Sequence, residues 1–251
     1  MDPIITSALT AFVTASATKG MNAPMQTLDD LWYLAFGDIS QLANMKRAKN
    51  EINTAQYKDS ILRKTLEIKP ENLQEPPMSI VGPALEASKY YIEEEELREM
   101  FANVIAASMD KTKSGDVHHS FVEIIKQLSP RDAHNISLFK NRSAYPVVKY
   151  ILQNKMDKKF IVIAPLVFLS NFVDGIIDEK DSASISNLIR LGLLEHSIDT
   201  LTSVEEYAFY EKESYLDSLI SGYDKEVDEV VTRRNSLSVT PLGNLFMKVC
   251  L

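Results

Sequence analysis

A long amphipathic run begins at Pro83 and reaches Asp110, with no further Pro or Gly on the way. Leu97, Met100, Phe101, Val104, Ile105, Ser108 and Met109 recur at i, i+3, i+4, i+7 spacing, which sets them on one helix face. The spacing predicts one helix over 83–109. Pro83 falls in its first turn, where a missing N–H costs nothing. Glu94, Glu95, Arg98 and Glu99 fall on the solvated side, with Glu94 facing Arg98 across i,i+4. Residues 111–119 are polar around Ser114-Gly115-Asp116 and read as a loop. Ser120 with Glu123 has the form of a capping box ahead of the stripe Phe121, Ile124, Ile125 and Leu128. Ser129-Pro130-Arg131-Asp132 supplies an N-cap, a Pro at N1 and an acid at N3, so a third helix starts where the second stops. Helices joined this tightly predict a shared core.

Before this stretch, residues 3–18 carry no charge and read as a helix docking on the core. Thr27 with Asp30 caps a helix that places Leu28, Leu31, Trp32, Ala35, Ile39 and Leu42 on one side, with Gly37 in its middle. Residues 57–68 form another, with Ile61, Leu62, Thr65 and Leu66 as its stripe. Residues 70–83 hold four of the ten prolines and read as a linker.

After Asp132, a helix bearing Ala133, Ile136 and Phe139 ends at 141–143. Pro146 opens the next, with Val147, Tyr150 and Ile151 inward. Residues 160–172 are apolar almost throughout and predict a buried helix bent near Pro165. Ser184 caps a helix bearing Ile185, Leu188 and Ile189, and Gly192 ends it from the C′ position. Residues 236–239 read as a strand, and Thr240-Pro241 opens a final helix with Leu242, Leu245, Phe246 and Val249 on one face. A helix, a hairpin and Thr-Pro-Leu-Gly suggest a winged helix, elaborated by an acidic insertion at 204–229 with a short helix near 207–220. The fold class expected is mainly α: a multi-helix bundle with a C-terminal winged-helix-like unit containing a small antiparallel β-hairpin. Its divisions fall at 1–76 (N-terminal helical region), 77–157 (central helical core) and 158–251 (winged-helix-like unit).

Composition supports a folded, helix-rich chain. Of 251 residues, 45% are hydrophobic and 25% charged, and 8 Gly with 10 Pro argue against an all-β or loop-built protein. The net charge of −8 repels nucleic acid and anionic lipid overall, while a local basic patch could still bind them. A single cysteine, Cys250, excludes an internal disulfide and fits a reducing cytosol. It reads as a small apolar residue of the last helix. Met1-Asp2 lacks the positive start of a secretory signal. The longest apolar stretch, 160–173, contains Pro165, Ser170 and Asn171 and is too short to span a bilayer. A cytoplasmic protein with no transmembrane segment is expected.

Candidate chemistry is sparse. A winged helix would place residues 184–191 in the major groove, where Arg190 is the one cation, and Arg233-Arg234 is the basic doublet near the wing. These three are the candidate nucleic-acid contacts. Groove reading needs several Lys or Arg on the phosphates, so a protein-contacting module is preferred. His118, His119, His134 and His196 have no metal-ligand spacing. Lys46, Arg47 and Lys49 read as cations in the C-terminal half of a helix. Asp59 with Glu67-Ile68-Lys69 has a faint metal-nuclease pattern, but on a helix where a strand is needed. No phosphate-binding Gly loop or nucleophile elbow occurs. No catalytic residue, cofactor or metal is assigned.

Gly82-Pro83-Ala84-Leu85 and residues 95–110, Glu-Glu-Leu-Arg-Glu-Met-Phe-Ala-Asn-Val-Ile-Ala-Ala-Ser-Met-Asp, resemble the central motif of the bacterial Abi-alpha (abortive infection alpha) family. His118-His119-Ser120-Phe121-Val122-Glu123 and the residues onward to Ala133 are similar to its next block, with His119 where members usually carry Pro. Thr240-Pro241-Leu242-Gly243, Phe246 and Cys250 are similar to its C-terminal end, so the resemblance runs from about Pro77 onward. It implies a part in phage defence and brings no catalytic residues with it. The function expected is a non-enzymatic protein acting through contacts with a phage or host protein, at the acidic insertion and the exposed side of the 83–109 helix. A winged-helix DNA-binding regulator and a toxic nuclease stay open as alternatives, as does a homo-oligomer formed through the apolar N-terminal region.

Overall fold

The computed structural model describes residues 22–36, 44–168, 179–201, 203–224 and 226–251. The expectations on residues 3–18 and 169–173, on Gly37, Ile39 and Leu42, and on the side chains of Lys46, Arg47 and Lys49 lie outside the described residues. The chain clusters into two compact units. One comprises the chain as far as Pro130 together with Leu245–Leu251; the other is Arg131–Asn244.

The first unit contains α1 (Asn22–Phe36), α2 (Asn44–Leu66), α3 (Met78–Ser88), α4 (Glu95–Ser108), α5 (Ser120–Ile125) and the last turns of α9 (Pro241–Cys250). The stripe Leu97, Met100, Phe101, Val104, Ile105, Ser108 and Met109 is buried as its spacing predicts. Ala102, Ala106 and Ala107 are buried too, so α4 is enclosed on nearly every side. The single helix expected over 83–109 is instead two. Pro83 lies inside α3, a 3₁₀ turn covers Lys89–Tyr91, and α4 restarts after Glu94. The break leaves the Ile92 carbonyl without a helical partner. Buried Arg98 turns inward and donates to it at 2.8 Å, so Arg98 is not on the solvated side paired with Glu94.

Three other local readings change. Thr27 sits inside α1, its hydroxyl donating to the Ala23 carbonyl, and so is not the cap of this helix. The proline-rich 70–83 stretch is stitched to the end of α4. Gln74 N donates to Met109 O, Lys111 N donates to Asn72 O, and Leu73 is buried as it bridges Asp110. Helix α5 begins at Ser120 itself. The His118 ring, through Nδ1, takes the Ser120 backbone N–H at 3.1 Å, in place of the Ser120–Glu123 box.

The second unit is built on a four-stranded antiparallel sheet in the order β2-β1-β4-β3. Its strands are β1 (Ala144–Asn154), β2 (Phe160–Val167), β3 (Leu194–Ser197) and β4 (Asp228–Val239). Around them lie α6 (Pro130–Leu138), α7 (Glu179–Arg190) and α8 (Glu213–Leu219). This overturns the mainly α, winged-helix reading: the protein is mixed α/β. The expected hairpin exists as β3 against β4, over Leu194↔Val239 to Ser197↔Ser236. It is only the margin of a sheet in which β1 and β4 pair over eleven residues.

The reason for the error is physical. From Pro146 to Leu152 every residue of β1 except Lys149 is buried. A strand covered on both faces loses its alternation and cannot be told from a helix by periodicity. Pro165, read as a helix bend, sits where β2 carries an extra residue: Val148 faces Val167 while Tyr150 faces Ala164. A bulge is one of the few places a sheet accepts Pro.

The acidic stretch folds onto this sheet through its aromatic residues. Tyr207 and Tyr210 are fully buried with Val148, Tyr150 and Val167. Tyr207 donates to Asn235 O at 2.6 Å, Tyr150 to Tyr210 O at 2.7 Å, and Tyr210 to Pro146 O at 3.0 Å. Ser184 lies inside helix α7 rather than capping it, and is buried. The helix ends as predicted: Gly192 has φ +74°, with Leu193 N bonded to Leu188 O and Gly192 N to Ile189 O.

Candidate functional site

Lys149 and Arg233 are direct cross-strand partners in the β1–β4 ladder and therefore share one face of the sheet. Like charges placed opposite one another repel, and neither side chain has an ion pair or hydrogen bond among the described residues. Lys149 is also the half-open position in an otherwise buried stretch of β1, and it falls where the pairing with β2 skips a residue. The extra residue here is carried by β2, opposite Lys149, and bulges are over-represented next to functional sites.

Both cations line an open groove of about 700 Å³. Thr200, Thr232 and Asn235 bring polar groups to it, and the Asn235 amide is bonded to His196 Nε2 at 2.8 Å. Pro165 and Ile198 supply apolar wall. Glu211 and Arg234 line it too, but their charges are already spent on each other. Arg234 donates through Nε and a terminal nitrogen to the two Glu211 oxygens, each at 2.7 Å. That bond holds the Arg234 guanidinium above its ordinary pKa. The groove therefore carries two uncompensated positive charges in a chain of net charge −8.

Of the three arginines singled out from the sequence, Arg233 and Arg234 both line the groove and Arg190 does not. Arg233 lines the groove as an uncompensated cation. Arg234, next along β4, is opposite Val148 and is tied to Glu211 beside the Tyr207 ring. Arg190, in the last turn of α7, donates to Asn187 Oδ1 at 2.7 Å and does not line the groove. Lys149 was missed because it fell inside a segment read as helix. Its signal was a lone charge in the run Pro146-Val147-Val148-Lys149-Tyr150-Ile151-Leu152.

A second feature lies across the sheet. Strand β2 is at the edge, and among the described residues nothing pairs with its outer side. Phe160, Ile161 and Val162 are 57%, 56% and 42% exposed. Three consecutive strand residues show apolar side chains on both faces beside unpaired backbone groups, an arrangement that invites another strand.

Among the described residues no helix is long and apolar enough to cross a membrane. None of their His, Cys, Asp and Glu side chains form a group of three placed to hold a metal ion. A family model described as abortive infection alpha matches residues 49–250. No curated protein and no solved structure matches the chain.

Proposed function

The chain belongs to the abortive infection alpha family, matched over far more than half its length, and from that premise we propose a cytosolic protein of abortive-infection-type phage defence. It acts by taking an extended segment of a phage or host protein onto strand β2. The observation that carries this reading is the open apolar edge at Phe160–Val162. An added strand would satisfy the free N–H and C=O groups while its side chains cover the exposed ones.

The two surfaces expected from the sequence are weaker candidates. In the acidic stretch Glu206 is paired with Arg142 and Glu211 with Arg234, so these carboxylates serve the fold. Over 83–109 the exposed positions are Pro83, Glu86, Tyr90, Glu93, Glu94, Glu95 and Glu96, all before the buried body of α4, and the remainder is buried or half-buried.

The test is phage plating on cells carrying the wild-type chain or Val162→Lys, a charged edge residue that opposes strand addition. Loss of protection with an unchanged circular dichroism spectrum and melting temperature is expected. Full protection by the variant would overturn the proposal, as would unchanged plating when the wild-type gene is deleted.

A further inference from the structure

We propose that the groove beside Lys149 and Arg233 binds the phosphate of a small phosphorylated ligand, with Pro165 and Ile198 against its organic part. This is independent of what docks on β2. Two cations held opposite each other with no partner destabilise the sheet they sit in, and an anion between them removes that cost. The fork of Arg233 matches two phosphate oxygens, and Lys149 adds a compact charge beside it. A dianion balances the pair where a single carboxylate does not. The hydroxyl of Thr200, also in the groove lining, supplies a further donor.

The remaining charges facing the groove do not oppose this. Glu211 is neutralised by its two bonds to Arg234, and His196 is engaged with Asn235. The apolar wall points to more than a bare ion. Ile198 stands 82% exposed at the groove, an apolar surface that a flat organic group would cover. About 700 Å³ is the size of a small-molecule site. Two free cations in an acidic chain are too few for a duplex, which needs many phosphate contacts.

The experiment is calorimetric titration of the full chain at low salt with ADP, with pyrophosphate, with a short acidic peptide and with a 20-base-pair duplex. ADP is expected to saturate at one site, more tightly than pyrophosphate. Lys149→Gln and Arg233→Gln should each weaken it about tenfold or more, and Arg190→Gln should leave it unchanged. A second measurement guards against misfolded variants. Without ligand, each groove variant should melt at or above the wild-type temperature, since it relieves like-charge repulsion, and ADP should raise only the wild-type value. Absence of saturable ADP binding overturns the proposal. So does equal binding by both groove variants, or binding of the peptide or duplex at that site more tightly than ADP.

Discussion

Gly243 packs against the backbone carbonyl of Leu193 so closely that a Cβ on residue 243 would overlap that oxygen and lie 2.9 Å from Val239 Cγ1. The contact explains Thr240-Pro241-Leu242-Gly243 in physical terms. Thr240 Oγ1 caps α9 by accepting the Gly243 N–H at 2.9 Å, and Thr240 N donates to Leu193 O at 3.1 Å. Pro241 occupies the first helical position. Gly243→Ala pushes on backbone, which cannot yield as a side chain does. It should cost about 3 kcal/mol, the upper part of the overpacking range. Thr240→Ala should cost about 1 kcal/mol, the usual value of a lost cap. Urea unfolding of both variants checks the order; a Gly243→Ala chain as stable as wild type would contradict the contact.

A buried polar network joins α6 to α7 inside the second unit. Asp181 accepts from Arg131 at 2.8 Å, and Asn135 donates to Ser184 Oγ at 2.9 Å and to Asp181 at 3.4 Å. Asn187 reaches back to Asp132 at 3.1 Å. Asp181→Ala strips the Arg131 guanidinium of this carboxylate and leaves half-satisfied polar groups in a covered site. A loss of about 1–3 kcal/mol is expected. Asp181→Asn, which keeps an acceptor, should lose less. Denaturant titration of the pair reads the difference.

Stability should fall at alkaline pH through two groups of the first unit. Burial raises the Cys250 thiol well above its ordinary 9.0, and burial raises the Tyr57 phenol above its ordinary 10.0. In each case the folded chain keeps a proton that the unfolded chain releases. The contribution of these two groups is therefore whole well below pH 9. It declines by about 1.4 kcal/mol per pH unit per group once the unfolded thiol, and then the unfolded phenol, ionises. Cys250→Ala should flatten the decline between pH 9 and 10, and Tyr57→Phe the steeper part above 10. Unfolding curves taken at half-unit intervals from pH 8 to 11.5 check this. A thiol reagent at pH 8 should label Cys250 in urea and not in the native chain.

What was legible in the sequence follows from what each pattern measures. The stripe of α4, the Gly192 stop and the Thr240-Pro241 start are local signals, and all three appear in the structure. The sheet was legible only at its β3–β4 margin; β1 was not, because burial on both faces erases the alternation that marks a strand. The better guide to β1 was composition: Val147, Val148, Tyr150 and Ile151 are β-branched or aromatic and crowd a helix. The break before α4 was hidden too. It depends on Arg98 reaching the Ile92 carbonyl, six residues back, and no periodicity encodes that bond. Half of the groove was visible as Arg233. Its partner Lys149 becomes meaningful only once the register sets the two opposite each other.

The Tyr207 hydroxyl bridges two backbone groups that belong to different segments. It donates to Asn235 O at 2.6 Å and accepts the Leu201 N–H at 3.0 Å, so one buried oxygen ties the 198–201 turn to β4. Tyr207→Phe keeps the ring, and with it the packing on Val148 and Tyr150, but leaves a buried carbonyl and an amide without this partner. Two lost bonds of about 1–1.5 kcal/mol each predict local opening of this turn some tens of times more often. The Leu201 amide should then exchange with deuterium faster by that factor, while amides of α4, in the other unit, keep the wild-type rate. The turn carries Ile198 and Thr200 to the groove, so ADP affinity should fall in the same variant with Lys149 and Arg233 intact. Unchanged exchange at Leu201 would mean that packing of the Tyr207 ring, rather than its hydroxyl, holds this wall of the groove.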